Sequence, residues 1–153
     1  KDMELLSSYY QKEITAMHIA VRTSLPDNPL FIDGNAEQLG KTIMSLLNNG
    51  MYAIAKKYGK KAYPAEIGLA LESKDGQAVI RLYDNGVGIE QSILDKIFDP
   101  FFTTKTTGEA AGIGLYLSKE IILNHHGQIA VRSEKDELTE FTITLPLWEE
   151  KSV

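Results

Sequence analysis

The sequence predicts an α/β sandwich: a mixed, largely antiparallel sheet of about five strands carrying three main helices on one face. Three observations predict it. Short strand-like runs alternate along the chain with stretches of helical periodicity. Strand candidates in the middle and near the end are paired across turns short enough for hairpins, the first through Asp75-Gly76. One long stretch, opening at Asn35, repeats apolar residues at helical spacing.

Taken in order, Asp2 to Lys12 is a short helical candidate and His18 to Thr23 reads as a strand, with Leu25 to Pro29 as a turn. Leu30 to Asp33 is a second short extended piece. Asn35 with Gln38 three residues later is an N-cap signature, after which Leu39, Ile43, Leu46, Leu47, Met51 and Ile54 fall on one helical face. That helix should run to about Tyr58 and end at Gly59. Ile67 to Ser73 and Gln77 to Tyr83 form the hairpin closed by Lys74-Asp75-Gly76. A short helix is expected over Glu90 to Ile97, then a long irregular loop from Asp99 to Ala111. Ile113 to Asn124 is a helix closed by Gly127. Ile129 to Ser133 and Phe141 to Leu147 make a second hairpin across a charged turn. There is no internal repeat.

A chain of 153 residues suits one domain with a sizeable core. Its composition is that of a globular protein, 43% hydrophobic and 24% charged, without low-complexity segments. The absence of cysteine excludes a disulfide framework, a thiolate metal site and a cysteine nucleophile. No apolar run approaches the roughly 20 residues that span a bilayer, and no signal-peptide core is present. A soluble, cytoplasmic domain without direct membrane contact is the expectation. The chain starts at Lys1 inside a helical stretch and lacks an initiator Met, as expected of a piece of a longer protein. A parent anchored in the inner membrane would carry its anchor outside this piece. A net charge of -5 argues against a nucleic-acid partner, which calls for a clustered basic surface. It leaves room for an anionic small ligand, because one lysine and a few aimed amides set the local field.

Four stretches carry chemistry. In Leu46 to Ile54, Asn48 and Asn49 interrupt a strongly apolar helix. Adjacent helical residues point about 100° apart, so the two cannot face one pocket, and Asn49 is the better candidate for the inward one. Its amide oxygen is a hard ligand of the kind Mg²⁺ takes; a solvated or back-bonded Asn is the bland alternative. In Asp84 to Ile89, DNGVGI, two glycines behind an Asp-Asn pair let the backbone turn sharply and leave room for a flat ligand. Asp84 would then accept a hydrogen bond from an exocyclic amine, although a plain Asx turn leaving a strand fits the same residues. In Phe98 to Lys105, FDPFFTTK, an aromatic cluster sits in a loop long enough to suggest a lid, from which Lys105 would reach a terminal phosphate; an ordinary satellite cluster with a solvated Lys is the bland alternative. In Gly112 to Leu115, GIGL, glycines open a helix whose free amides and dipole favour an anion. The third glycine and the preceding strand of a dinucleotide fingerprint are missing, as is GxxxxGK[ST].

The order of these four stretches resembles the N, G1, F and G2 boxes of the ATP-binding catalytic domain of sensor histidine kinases, over about Leu30 to Pro146. That family belongs to the GHKL group with DNA gyrase B, the heat-shock chaperone ATPases and the MutL repair proteins. The resemblance implies the Bergerat fold, with ATP between helices and sheet under a mobile lid loop. It implies that Asp84 binds the adenine amino group, that Gly86 and Gly88 let the backbone approach the ring, and that Asn49 contacts Mg²⁺. Ile89 joins the nucleotide site, Phe98, Phe101 and Phe102 anchor the lid, and Lys105 acts with Asn49 in catalysis. Gly112, Ile113, Gly114 and Leu115 border the triphosphate. The implied domain covers residues 18–149, with 1–17 as a linker or the tail of a dimerization helix and 150–153 as a C-terminal tail.

The departures bear on mechanism. FFTTKTTGEAAGIGL is similar to the nitrogen-regulation pattern FFTTKxxGEGTGLGL, but Ala110 and Ala111 stand for Gly and Thr, which implies retained ATP binding with an altered lid. Gly50 stands where Ala is usual. Ser45 occupies the face position, four residues before Asn49, that resembles a water-activating Glu in gyrase and the chaperones. Without a carboxylate there, hydrolysis is disfavoured and a nucleophile from outside is expected. His18 lies in a strand candidate before Ile19, and His125 and His126 end a helix, so none fits the acceptor histidine. The implied activity is a protein-histidine kinase fragment of a two-component system, with a dimerization domain of the same parent as partner and a response regulator downstream. A degenerate nucleotide-binding signalling module and an anti-sigma-type serine kinase are the alternatives. Lys56, two turns beyond Asn49, is either a phosphate neighbour or a solvated member of a lysine run.

Overall fold

The computed structural model describes residues 19–58, 64–100 and 115–148. Within them the elements follow as β1 (Ala20–Ser24), α1 (Ala36–Tyr58), β2 (Glu66–Lys74), β3 (Gln77–Asp84), α2 (Gln91–Leu94), α3 (Tyr116–Asn124), β4 (Gln128–Glu134) and β5 (Leu138–Pro146). The strands form one sheet in the order β1-β2-β3-β5-β4. β1 pairs parallel with β2, and the other neighbours pair antiparallel. The parallel pair requires a crossover connection, which α1 supplies. The expected helix at Asp2 to Lys12, His18 and the tail at 150–153 lie outside the described residues.

The helices share one face because the strands alternate. Ala78, Ile80, Leu82 and Asp84 of β3 lie opposite Leu145, Ile143, Phe141 and Thr139 of β5, and all eight are buried. Ile43 and Leu46 of α1 and Ile122 of α3 join Leu69, Ile80, Leu82, Phe141, Ile143 and Leu145 in one cluster, with Ile93 and Leu94 of α2 packed against it. A second cluster, Ile19, Met51, Ile54, Ala65 and Ile67, fastens the C-terminal half of α1 to the β1–β2 edge. The opposite face is polar, with Arg22 on Glu66, Arg81 on Glu72 and Arg132 on Glu140.

Local chemistry accounts for the element ends. The Asn35 side-chain oxygen accepts the Gln38 amide at 3.0 Å and caps α1. Asp75 and Gly76 both take positive φ, 53° and 78°, as a two-residue hairpin turn requires. Leu30 to Asp33 joins no strand of the sheet. Two expectations are corrected. The helix expected over Glu90 to Ile97 shrinks to Gln91–Leu94 followed by turns, with no side-chain cap at Glu90. α3 is closed by His126 rather than Gly127. His126 has φ 63°, its amide donates to Leu123 O, and the Gly127 amide donates to Ile122 O, the paired bonds of a Schellman ending. Gly127 is needed instead for space, since a Cβ there would meet Thr144 O at 2.3 Å.

Candidate functional site

The end of β3 creates the site. Strand alternation that buries Ile80 and Leu82 carries Asp84 into the same layer, where it is 5% exposed. Burial pushes its carboxyl up to about 7, opposed by the Gly86 amide, which donates to Oδ1 at 2.9 Å, and by the charge of Lys57. A cavity of about 370 Å³ opens above it. Asn49, Tyr52, Ala53 and Lys56 of α1 form one wall, Val87 to Glu90 another, and Lys135, Thr139 and Phe141 close the far side.

The loop from Asp84 to Ile89 is fastened on both sides. The Val87 amide donates to Ala53 O at 3.1 Å, and the Asp136 amide donates to Val87 O at 2.6 Å. The Asn85 side chain accepts the Glu66 amide at 2.7 Å and donates to Pro64 O at 2.8 Å. Ile89 is anchored through its amide to Ser133 Oγ at 2.8 Å, and that hydroxyl also meets Leu138 O and Thr139 Oγ1. The two glycines answer first to the protein itself. A Cβ on Gly86 would stand 2.5 Å from the Ala53 carbonyl carbon. On Gly88, whose φ is 72°, it would stand 2.3 Å from Glu134 O.

Asn49, Asp84, Gly88 and Ile89 thus line one cavity, and Gly86 binds the carboxylate at its floor. Asn48 is exposed, so the two asparagines diverge. Phe98 and Leu115 belong to the neighbouring core. Phe98 packs edge-on against Phe141, with ring centroids 6.4 Å apart and the Lys119 ammonium over its face, and the Leu115 side chain is buried at the start of α3. Phe101, Phe102, Lys105, Ala110, Ala111, Gly112, Ile113 and Gly114 lie outside the described residues. Sequence reasoning missed Thr139, Ser133, Lys135 and Val87. Thr139 was within reach, because Thr139, Phe141, Ile143 and Leu145 alternate along a strand and place the hydroxyl on the buried face. The others depend on long-range pairing.

One observation asks for a ligand: among the described residues the buried Asn49 side-chain nitrogen finds no hydrogen-bond partner, and Asn49 lines the cavity. An amide of this kind supplies a donor for a phosphate oxygen and a carbonyl oxygen of the hard type Mg²⁺ takes. The described residues contain no group of three or more His, Cys, Asp or Glu able to hold a metal. Magnesium suits such a site, since it binds through one or two protein oxygens and completes its shell with water and phosphate. Among the described residues no helix is long and apolar enough to cross a membrane.

Residues 34–149 match the model of the histidine kinase-, DNA gyrase B- and HSP90-like ATPase family. The chain is 34% identical over 123 residues to sporulation kinase D of Bacillus subtilis, covering 80% of this chain and 22% of that protein. It is 39% identical over 122 residues to the signal transduction histidine-protein kinase AtoS of Escherichia coli, covering 79% of this chain and 19% of that one. The chain therefore spans about a fifth of the length of these relatives. The catalytic domain of histidine kinase ThkA shares its fold, with a TM-score of 0.79 at 23% identity over 95% of this chain and 90% of that one. ThkA in complex with the response regulator protein TrrA aligns with a TM-score of 0.74 at 20% identity, over 95% and 39%. A buried carboxylate at the end of β3, the glycine-turned loop behind it, the asparagine of α1 and these likenesses together establish that the chain belongs to the histidine kinase-, DNA gyrase B- and HSP90-like ATPase family, as an ATP-binding domain of the sensor histidine kinase type.

Proposed function

We propose that this domain binds Mg-ATP in the Asp84–Asn49 cavity and transfers the γ-phosphoryl to a histidine on a dimerization domain of the same parent protein. The observation that carries the reading is the pairing, in one cavity, of a buried carboxylate with an amide nitrogen that has no partner among the described residues. Asp84 accepts the adenine amino group, which fixes the base at the floor. Asn49, one wall away on α1, reaches the phosphate end. Magnesium supplies charge neutralisation there when bound. The acceptor imidazole nitrogen forms a bond to the γ-phosphorus as the bond to the β-phosphate oxygen breaks, and ADP leaves. This chain's part is positioning and exclusion of water, consistent with Ser45 offering no carboxylate to activate water. Lys105, Gly112, Ile113, Gly114 and Leu115 complete the phosphate end in this reading. The phosphohistidine then supplies a response regulator, a role that the ThkA–TrrA complex supports by analogy.

Incubating the chain with a histidine-bearing dimerization hairpin and γ-labelled ATP should label the hairpin, and Asn49→Asp should suppress it. Analogue binding without any transfer would defeat the kinase reading and leave a nucleotide-binding module. Label on a serine would point to the anti-sigma type.

A further inference from the structure

We infer that Lys57, at the C-terminal turn of α1, is the positioning residue of the nucleotide cavity, clamping the loop after β3 and the β4–β5 turn onto one helix end. The inference rests on the proposed function for its ligand, but its geometry stands on contacts already present.

The Lys57 ammonium donates to Asp136 O at 2.5 Å and to Asn85 O at 3.4 Å. The Tyr58 hydroxyl donates to the same Asn85 oxygen at 3.1 Å, and the ammonium sits 5.3 Å from the centre of the Tyr58 ring. Asn85 directly follows the adenine-facing Asp84, and Asp136 directly follows Lys135 on the opposite cavity wall. One cation therefore joins the loop after β3 to the β4–β5 turn, two segments that line the cavity through Val87 to Glu90 and through Lys135. Asp136 takes a left-handed φ of 65°, unusual for a residue other than glycine. The turn that contains it is charged, and Glu137 also feels the Lys57 charge. A lysine suits the task because three donors on a point charge can serve carbonyls from two directions. The same charge opposes the burial that pushes Asp84 up, so it favours the ionised acceptor that the adenine amine needs. Lys56, its neighbour, lines the cavity directly and makes the contrast: one lysine faces the ligand space and the next ties the walls behind it.

Lys57→Met keeps the aliphatic stem and removes the cation, and Lys57→Arg restores a cation with several donors. Calorimetry with a non-hydrolysable ATP analogue should show affinity about tenfold weaker for Lys57→Met, the loss expected of a charged hydrogen bond, and largely recovered in Lys57→Arg. Amide hydrogen exchange without nucleotide should speed up at Val87 and Asp136 in Lys57→Met while the middle of α1 keeps its protection. Wild-type affinity in Lys57→Met, or unchanged exchange at both amides, overturns the inference. Failure of the unaltered chain to bind the analogue would instead sink the proposed function, and the exchange comparison would still decide whether Lys57 holds the two turns.

Discussion

The Gly86 amide donates to Asp84 Oδ1 at 2.9 Å, and even with that bond burial holds the Asp84 carboxyl near 7, well above its ordinary 3.8. A raised carboxyl pKa makes the folded chain keep a proton that the unfolded chain releases. Stability therefore falls as pH rises from about 4 to about 7, by a few kcal/mol in order of magnitude, and levels off above. Asp84→Asn removes that cost. Urea midpoints should show the variant gaining on the wild type at pH 8 and losing most of the gain at pH 4, while its affinity for an ATP analogue collapses. A midpoint difference that does not change with pH would contradict the assignment.

Gly50 sits inside α1, where a Cβ would lie 3.5 Å from Asp84 Oδ2, an ordinary contact. Gly50→Ala should stabilise the domain by about 0.5 to 1 kcal/mol through helix propensity. Gly86→Ala and Gly88→Ala should each destabilise by about 1 to 3 kcal/mol, because their Cβ atoms would strike backbone. Thermal melts of the three variants check the signs. A Gly86→Ala melt equal to wild type would mean that α1 and the loop do not approach as closely as described.

Ser133→Ala tests the anchor of Ile89, a residue of the cavity wall. The hydroxyl receives the buried Ile89 amide, so its loss leaves that donor unpaired at a cost of about 1 to 3 kcal/mol. The expected result is a lower melting point together with faster exchange of the Ile89 amide. An unaltered Ile89 exchange rate would show that another acceptor takes over.

Asn35 with Gln38 announced the start of α1, and Asp75-Gly76 announced the first hairpin, because capping and turn geometry are settled within a few bonds. The helix after Glu90 was overextended. Apolar Ile93, Leu94, Ile97 and Phe98 satisfy a helical period, yet what holds them is packing against the core, and no cap sustains a longer helix. Gly127 was assigned the left-handed position that His126 occupies, since the bonds of the Schellman ending decide which residue turns. The sequence assigns Gly86 and Gly88 to making room for a ligand ring, but their tightest demands come from Ala53 and Glu134.

By itself the sequence determined the elements, the apolar faces that bury them and the residue types that suit an adenine nucleotide, because propensity, periodicity and turn chemistry act over short stretches of chain. Only the tertiary structure decided that β1 lies parallel to β2, that Thr139 stands beside Asp84 and Ser133 beside Thr139, and that Lys57 reaches Asn85 and Asp136 at once. Those relationships join residues up to 79 positions apart, set by sheet register and by the seat of α1 on the sheet. The depth at which Asp84 is buried follows from the same packing. That depth makes a common surface residue a carboxylate poised to titrate near neutrality.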